Sequence, residues 1–438
     1  MEHNLSTRGT QPTSSFGQRT EPFGVAAWAL WFYILIAVGR FGELIPGLTA
    51  VPLAKIAISI SLLALFGEKK RYEKTAWAQS GIIGSATALF LIGGLLVPLS
   101  VQVGATLRFM LSTALPMAVA FYTINRICVS WRHIRMTVGA LLLSGVILAS
   151  FAIAKGGDRV SAGSSYDTND LAYVLVTCLP ISIGLAASAR GKKRIFLILA
   201  SILMLVAALL TQSRGGLMGG FAATLYLILR PYTGKSRSIL KTVLVGAVIA
   251  TAGCGIYLTL PQEVQRRFDT LGSLESDYNL EENNLTGRMS IWKRGTQATL
   301  DRPIGYGGLT FPQVDLMHGG KYMAPHNSFL QIAVELGLLG LIILLRLYYL
   351  SWRTMLTLKV HASRGIDDLS PGESRDLISL SVGVRAALLA NMIAGFFLSQ
   401  AYSSLMWTLF AVSAATATLV ANSSNSGRAV TAPTRARQ

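Results

Sequence analysis

The sequence predicts an all-α, polytopic membrane protein with about 12 transmembrane helices. Three observations carry that expectation. Of 438 residues, 52% are hydrophobic and only 14% are charged, whereas a soluble domain carries roughly 25% charged residues. Mean hydropathy is +0.49 and is gathered into runs long enough to cross a hydrocarbon core about 30 Å thick. Finally, the 42 glycines suit helices that must approach closely where lipid supplies no hydrophobic drive to associate.

A window of about 19 residues places the spans near 25–44, 48–66, 78–98, 106–125, 136–154, 170–188, 195–211, 215–230, 239–260, 327–350, 382–398 and 401–421. The polar leader, 1–24, precedes a first apolar run without a short hydrophobic core and small-residue cleavage site, so that run is read as a retained span. Nine spans thus occupy 25–260, a large polar loop with short helices occupies 261–325, three further spans occupy 326–421 with a loop at 351–381, and 422–438 is a short, polar tail expected to be disordered.

The net charge of +18 follows this layout. Loops after the second, fourth, sixth and eighth spans hold clusters such as Lys69, Lys70, Arg71 and Lys74, or Arg190, Lys192, Lys193 and Arg194, while the opposite loops hold only Lys155, Arg159 and Arg214. The positive-inside rule therefore puts the leader, the 351–381 loop and the tail in the cytoplasm, and 261–325 on the outer side, the periplasm of a bacterium that has one. Basicity here reports topology and not nucleic-acid binding. Cys128, Cys178 and Cys254 form neither a disulfide framework nor a zinc spacing.

The chemistry is expected where the polar loop meets the membrane. His326 follows Pro325 and precedes Asn327, a candidate cap for the next span; an imidazole at a helix N-terminus is biased toward the neutral form that a general base requires. Its bland alternative is an interfacial histidine bonded to backbone. Arg288 opens an amphipathic stretch, Met289 to Leu300, behind a candidate cap at Thr286; an arginine in a first turn is unfavourable against the helix dipole unless an anion sits there. Arg214, in Thr211-Gln212-Ser213-Arg214-Gly215-Gly216, lies on a tight outer turn and is a candidate phosphate ligand, or else a snorkelling interfacial arginine. His318 is the reserve histidine. Arg40, Lys55 and Arg108 lie toward the outer ends of early spans, where an ionisable group faces a cavity or a partner; Lys55 is as readily paired with Glu43 as with a substrate. Glu335 is nine residues past His326, on another helix face and deeper. The Gly215/Gly219 and Gly216/Gly220 spacings read as helix packing, and Gly305-Tyr306-Gly307-Gly308 as a sharp turn, because no Lys-Ser/Thr follows to make a P-loop. No dense carboxylate cluster suggests a magnesium site.

Taken in order, Ser213-Arg214-Gly215-Gly216, Gly287-Arg288 with Trp292 and Pro303-Ile304-Gly305-Tyr306-Gly307, and His326-Asn327 followed by Glu335-Leu336-Gly337 and Gly340 resemble the O-antigen ligase and polymerase superfamily of bacterial surface polysaccharide assembly. The spacing from His326-Asn327 through nine residues to Gly337 and on to Gly340 is similar to the ligase pattern in particular. The resemblance covers about 205–345. It implies a GT-C-type glycosyltransferase of the bacterial inner membrane, with its active site facing the periplasm and no cofactor or metal. Such an enzyme moves a glycan from undecaprenyl diphosphate to a hydroxyl of lipid A-core oligosaccharide with inversion. It further implies that Arg214 and Arg288 contact the diphosphate and that His326 is the essential histidine, with Lys55 and Arg108 adding to the same electropositive pocket. The rival within the superfamily is an O-antigen or exopolysaccharide polymerase, whose acceptor is a second lipid-linked glycan; a protein O-oligosaccharyltransferase is more distant. From another class, a lipid-linked glycan transporter would show two related halves, and none is visible.

Overall fold

A computed structural model describes residues 22–45, 47–72, 80–157, 159–163, 166–230, 285–364 and 370–430. Among them the protein is helical without named strands. The helices are α1 (Val25–Gly39), α2 (Phe41–Leu44), α3 (Leu53–Gly67), α4 (Gly81–Leu95), α5 (Val103–Phe109), α6 (Leu115–Ile127), α7 (Trp131–Lys155), α8 (Thr168–Ser188), α9 (Gly191–Leu210), α10 (Arg214–Leu229), α11 (Arg288–Asp301), α12 (Phe311–Met317), α13 (Ser328–Arg364), α14 (Pro371–Phe396) and α15 (Ser404–Val430). Among the described residues, seven segments are long and apolar enough to cross a membrane, one of them the continuous stretch Val103–Ile127; α1, α3, α4 and α10 are shorter apolar helices. The expected span at 239–260 and the first part of the polar loop lie outside the described residues. The segment 351–381 is largely helical, since α13 runs to Arg364 and α14 begins at Pro371, and α15 continues to Val430 into the segment read as a disordered tail.

Local sequence explains where these helices bend. Between α5 and α6 the backbone widens into a π-turn over Met110–Ala114, immediately before Pro116, which has no N–H to donate and clashes with the carbonyl four residues back. Helix α9 ends at Leu210, and Gln212 takes φ 53°, so the chain reverses within three residues. Arg214–Leu229 is thus a separate helix and not the far half of one bent span.

Three helices around α10 set the position of everything functional. A Cβ on Gly216 would lie 2.5 Å from the Ala172 Cβ and one on Gly220 would lie 3.2 Å from the Val176 side chain, so α10 runs parallel to α8 at backbone contact. On its other face Gly215 meets Phe397 and Gly219 meets the Ala390 carbonyl, which makes α14 antiparallel to both. The paired glycine spacings are therefore the packing surface that the sequence suggested. A buried polar ladder ties in α13: the Tyr348 hydroxyl donates to Asn391 Oδ1 at 2.5 Å, and Asn391 Nδ2 donates to the Tyr173 hydroxyl at 2.6 Å.

Helix α13 is broken at Gly337, where φ is 76° and ψ 178°, a region open essentially to glycine. The break detaches carbonyls from their helical partners, and the loop after α11 satisfies them. The Tyr306 N–H donates to the Val334 carbonyl at 3.0 Å, the Gly307 N–H to the Glu335 carbonyl at 2.9 Å, and the Leu338 N–H to the Pro303 carbonyl at 2.9 Å. Gly305, at φ 96°, sits against this break, with the Gly337 nitrogen 2.6 Å from where its Cβ would be. The fully buried Glu335 carboxylate accepts from the Leu309 N–H at 2.9 Å, the Phe311 N–H at 3.3 Å and the Tyr402 hydroxyl at 2.6 Å. The two glycine-rich motifs are thus two halves of one joint that docks the polar layer of α11 and α12 on the helix bundle.

A methyl group at 337 would lie 2.4 Å from the Pro303 carbonyl oxygen and would meet a forbidden backbone region. Gly337→Ala is expected to lower stability by ~2 kcal/mol or more, read as a fall in thermal midpoint of the detergent-purified protein; an unchanged midpoint would rule out the joint.

Candidate functional site

The N-terminal ends of α8, α10 and α13 lie at one end of the bundle because α8 and α10 are parallel, α14 runs against both, and Ser328 at the start of α13 packs on Gly395 at the end of α14. Helix α11 begins beside them. The ends are finished by side chains in three cases: Asp167 Oδ1 accepts from the Asn169 and Asp170 N–H groups at 2.7 and 2.8 Å, Ser213 Oγ from the Gly216 N–H at 3.3 Å, and Asn327 Oδ1 from the Phe329 and Leu330 N–H groups at 3.0 Å each. For α11 the cap position falls on Gly287 and not on Thr286. Gly287 takes the extended conformation that precedes a helix and brings no side chain, so Arg288 is the first helical residue. Converging N-terminal ends make this face electropositive before any side-chain charge is counted.

His326 stands in this setting at φ 46°, a left-handed conformation uncommon for residues other than glycine. The turn is held on both sides. Its own N–H donates to Ser399 Oγ at 2.9 Å, and the preceding Pro325 carbonyl accepts from the Trp292 indole N–H of α11 at 2.8 Å. The Ser328 hydroxyl donates to the Leu398 carbonyl at 2.6 Å and accepts from the Gln400 N–H at 2.8 Å, while Gln400 Nε2 reaches Asp170 Oδ1 at 2.5 Å. The loop between α14 and α15 therefore clamps the histidine turn. Burial holds the His326 imidazole below its ordinary pKa, the neighbouring Arg288 charge lowers it further, and Asp167 opposes the shift. The neutral form, anticipated from the helix end, is secured first by burial.

Arg288 is thus brought within electrostatic range of His326. Arg214 belongs to the same end: Gly215, next in chain, packs on Phe397, two residues before the Ser399 that holds His326. Lys55, in the first turn of α3, and Arg108, on α5, are exposed, and neither is joined to the histidine turn by a hydrogen bond or ion pair among the described residues. Glu43 pairs with Arg40 at 3.2 Å, and Arg40 also stacks over the Tyr166 ring at 4.7 Å. His318 is occupied elsewhere, with Nδ1 at 2.8 Å from the Val314 carbonyl and Nε2 at 3.2 Å from Asp301. The polar layer has its own anchor in Arg294, whose Nε lies 2.7 Å from the fully buried Asp315 carboxylate; Asp315 Oδ2 also accepts the N–H groups of Lys321 and Met323 at 3.1 Å each.

Sequence reasoning missed the clamp and a groove. Ser399 and Gln400 are a polar pair at the end of an apolar run, a signal that was available. Between α13 and α14, directly beneath the histidine turn, a groove of about 430 Å³ is lined by Phe329, Leu345, Met392, Ile393, Phe396 and Phe397. Its outer end touches both Trp292, through Phe396 at 5.3 Å, and the first turn of α10, through Phe397. The imidazole, the Arg288 charge and an apolar groove thus lie at one end of the bundle, with Arg214 opening the neighbouring α10.

Residues 199–345 match a family model described as O-antigen ligase, a segment that contains Arg214, Arg288, His326 and both halves of the Gly337 joint. No curated protein matches the chain.

The imidazole should titrate with a midpoint below 6.5. Replacing Arg288 with glutamine removes a charge that disfavours the imidazolium, so the midpoint should move upward. The pH dependence of His326 modification by diethylpyrocarbonate measures both, and a parent midpoint at or above 6.5, or a downward move in the variant, would contradict this electrostatic reading.

Proposed function

We propose that the chain, whose residues 199–345 match the O-antigen ligase family model, is an O-antigen ligase, a membrane glycosyltransferase. In this reading it transfers a polysaccharide from undecaprenyl diphosphate to a hydroxyl of lipid A-core oligosaccharide at the periplasmic face of the bacterial inner membrane, by metal-independent, inverting transfer. The observation that carries the reading is the neutral, clamped His326 beside Arg288, directly above an apolar groove.

The chemistry divides between these parts. The groove takes isoprenoid chain, which leaves the diphosphate at the cluster of helix ends. Arg214 and Arg288 bind its oxygens, and charge developing on the departing diphosphate is stabilised by guanidinium donors that are already in place. The acceptor oxygen attacks the anomeric carbon as the carbon–oxygen bond to the diphosphate breaks, and His326 takes the acceptor's proton. Lys55 and Arg108 add long-range positive potential on the same side of the bundle. Donor binding also offsets the Arg288 charge that depresses the imidazole, so His326 becomes a better base when the leaving group is present.

His326→Ala is expected to reduce transfer by ~10²–10⁴-fold with donor binding retained, measured with purified protein, undecaprenyl diphosphate glycan and lipid A-core acceptor in chelator. Transfer that survives the substitution, or that requires a divalent metal, would remove the mechanism. Product formed only when a second carrier-linked glycan is the acceptor would assign polymerase activity, and glycan lipid crossing a bilayer without new glycosidic bonds would assign transport.

A further inference from the structure

A second cationic cluster lies at the opposite end of the bundle from His326. Arg385, inside α14, is 3% exposed, and its guanidinium carbon lies 5.4 Å from the centre of the Tyr226 ring of α10 and 5.6 Å from that of Trp352 of α13. Those two rings meet edge to face at 5.2 Å. Among the described residues Arg385 has no carboxylate partner, and its Nε is enclosed without a hydrogen-bond acceptor, as is the Tyr226 hydroxyl. Arg230, at the end of α10, and the half-buried Lys359 of α13 are both within electrostatic reach of it. The nearest acidic group along α14, Asp376, is taken by Arg135 and Lys193, each at 3.9 Å.

Buried polar atoms are almost always hydrogen-bonded, and a buried charge needs a counter-charge. Aromatic faces solvate one side of a guanidinium but accept no proton from its Nε. Here two donors without an acceptor and three cations share one locality where three helices meet. We propose that this cluster is a binding site for a phosphate-bearing anion, with Arg385 as the buried ligand, Arg230 and Lys359 as the entry charges, and Tyr226 and Trp352 as the walls that orient the guanidinium. The same chemistry is offered by the headgroup of an anionic glycerophospholipid and by free phosphate. This inference stands apart from the transfer reaction assigned to the His326 end.

The test is thermal unfolding of the full-length protein in a neutral detergent with added phosphatidylglycerol, phosphatidylcholine or inorganic phosphate. Phosphatidylglycerol is expected to raise the midpoint saturably while phosphatidylcholine does not. A matching rise with inorganic phosphate alone supports the site with a soluble anion as its ligand. Arg385→Met should abolish the response and, having removed an uncompensated buried charge, should be at least as stable as the parent without anion. The pair Arg230→Gln with Lys359→Gln should weaken the apparent affinity about tenfold or more, and it keeps the question decidable if Arg385→Met fails to fold. No anion-selective response of the parent, an undiminished response in Arg385→Met, or an unchanged affinity in the pair would each overturn the proposal.

Discussion

The arrangement depends on one steric constraint: α10 must lie at backbone distance from both α8 and α14. Gly216 and Gly220 admit α8, and Gly215 and Gly219 admit α14. That close approach fixes the axial level of α10, and with it the level at which Arg214 begins the helix. Because α8 and α10 are parallel, their N-terminal ends come together, and the antiparallel α14 delivers the Ser399 clamp to the same place. In a bilayer, where apolar surface gains nothing by leaving lipid, such packing and the Tyr348–Asn391–Tyr173 ladder supply the association that burial supplies in water.

The broken α13 solves a second problem. A polar layer laid over a helix bundle needs backbone partners, and a continuous helix offers none. The break at Gly337 exposes the Val334 and Glu335 carbonyls to the loop carrying Tyr306 and Gly307, and Glu335 fastens that loop and Tyr402 from within. The joint holds α11 over the bundle, so that Trp292 reaches the Pro325 carbonyl and Arg288 acts on His326. Glu335 therefore shapes the site without touching the histidine.

Much of this was legible in the sequence, for identifiable reasons. Hydrophobic runs mark membrane helices because lipid imposes one length scale, and the described apolar helices overlap the expected spans, α13 and α14 running beyond theirs into 351–381. The glycine pairs on α10 and the Asn327 cap followed from spacing alone. The cap of α11 did not, because Thr286 and Gly287 are both acceptable there and tertiary packing decides between them. Nor did the pairing of Gly305 with Gly337, more than thirty residues apart: a helix break and a turn can each be read locally, but their mutual fit is a property of the fold. The α13–α14 groove was hidden because its six apolar residues are indistinguishable in composition from any lipid-facing surface.

The central claim is that Arg214 and Arg288, contributed by two helices, act on one anion beside His326. A double-mutant cycle on the binding of undecaprenyl diphosphate, with each arginine changed to glutamine alone and together, addresses it directly. A shared ligand predicts a coupling energy of about 1 kcal/mol or more, whereas losses that add to within ~0.5 kcal/mol would mean that the two guanidinium groups serve separate sites.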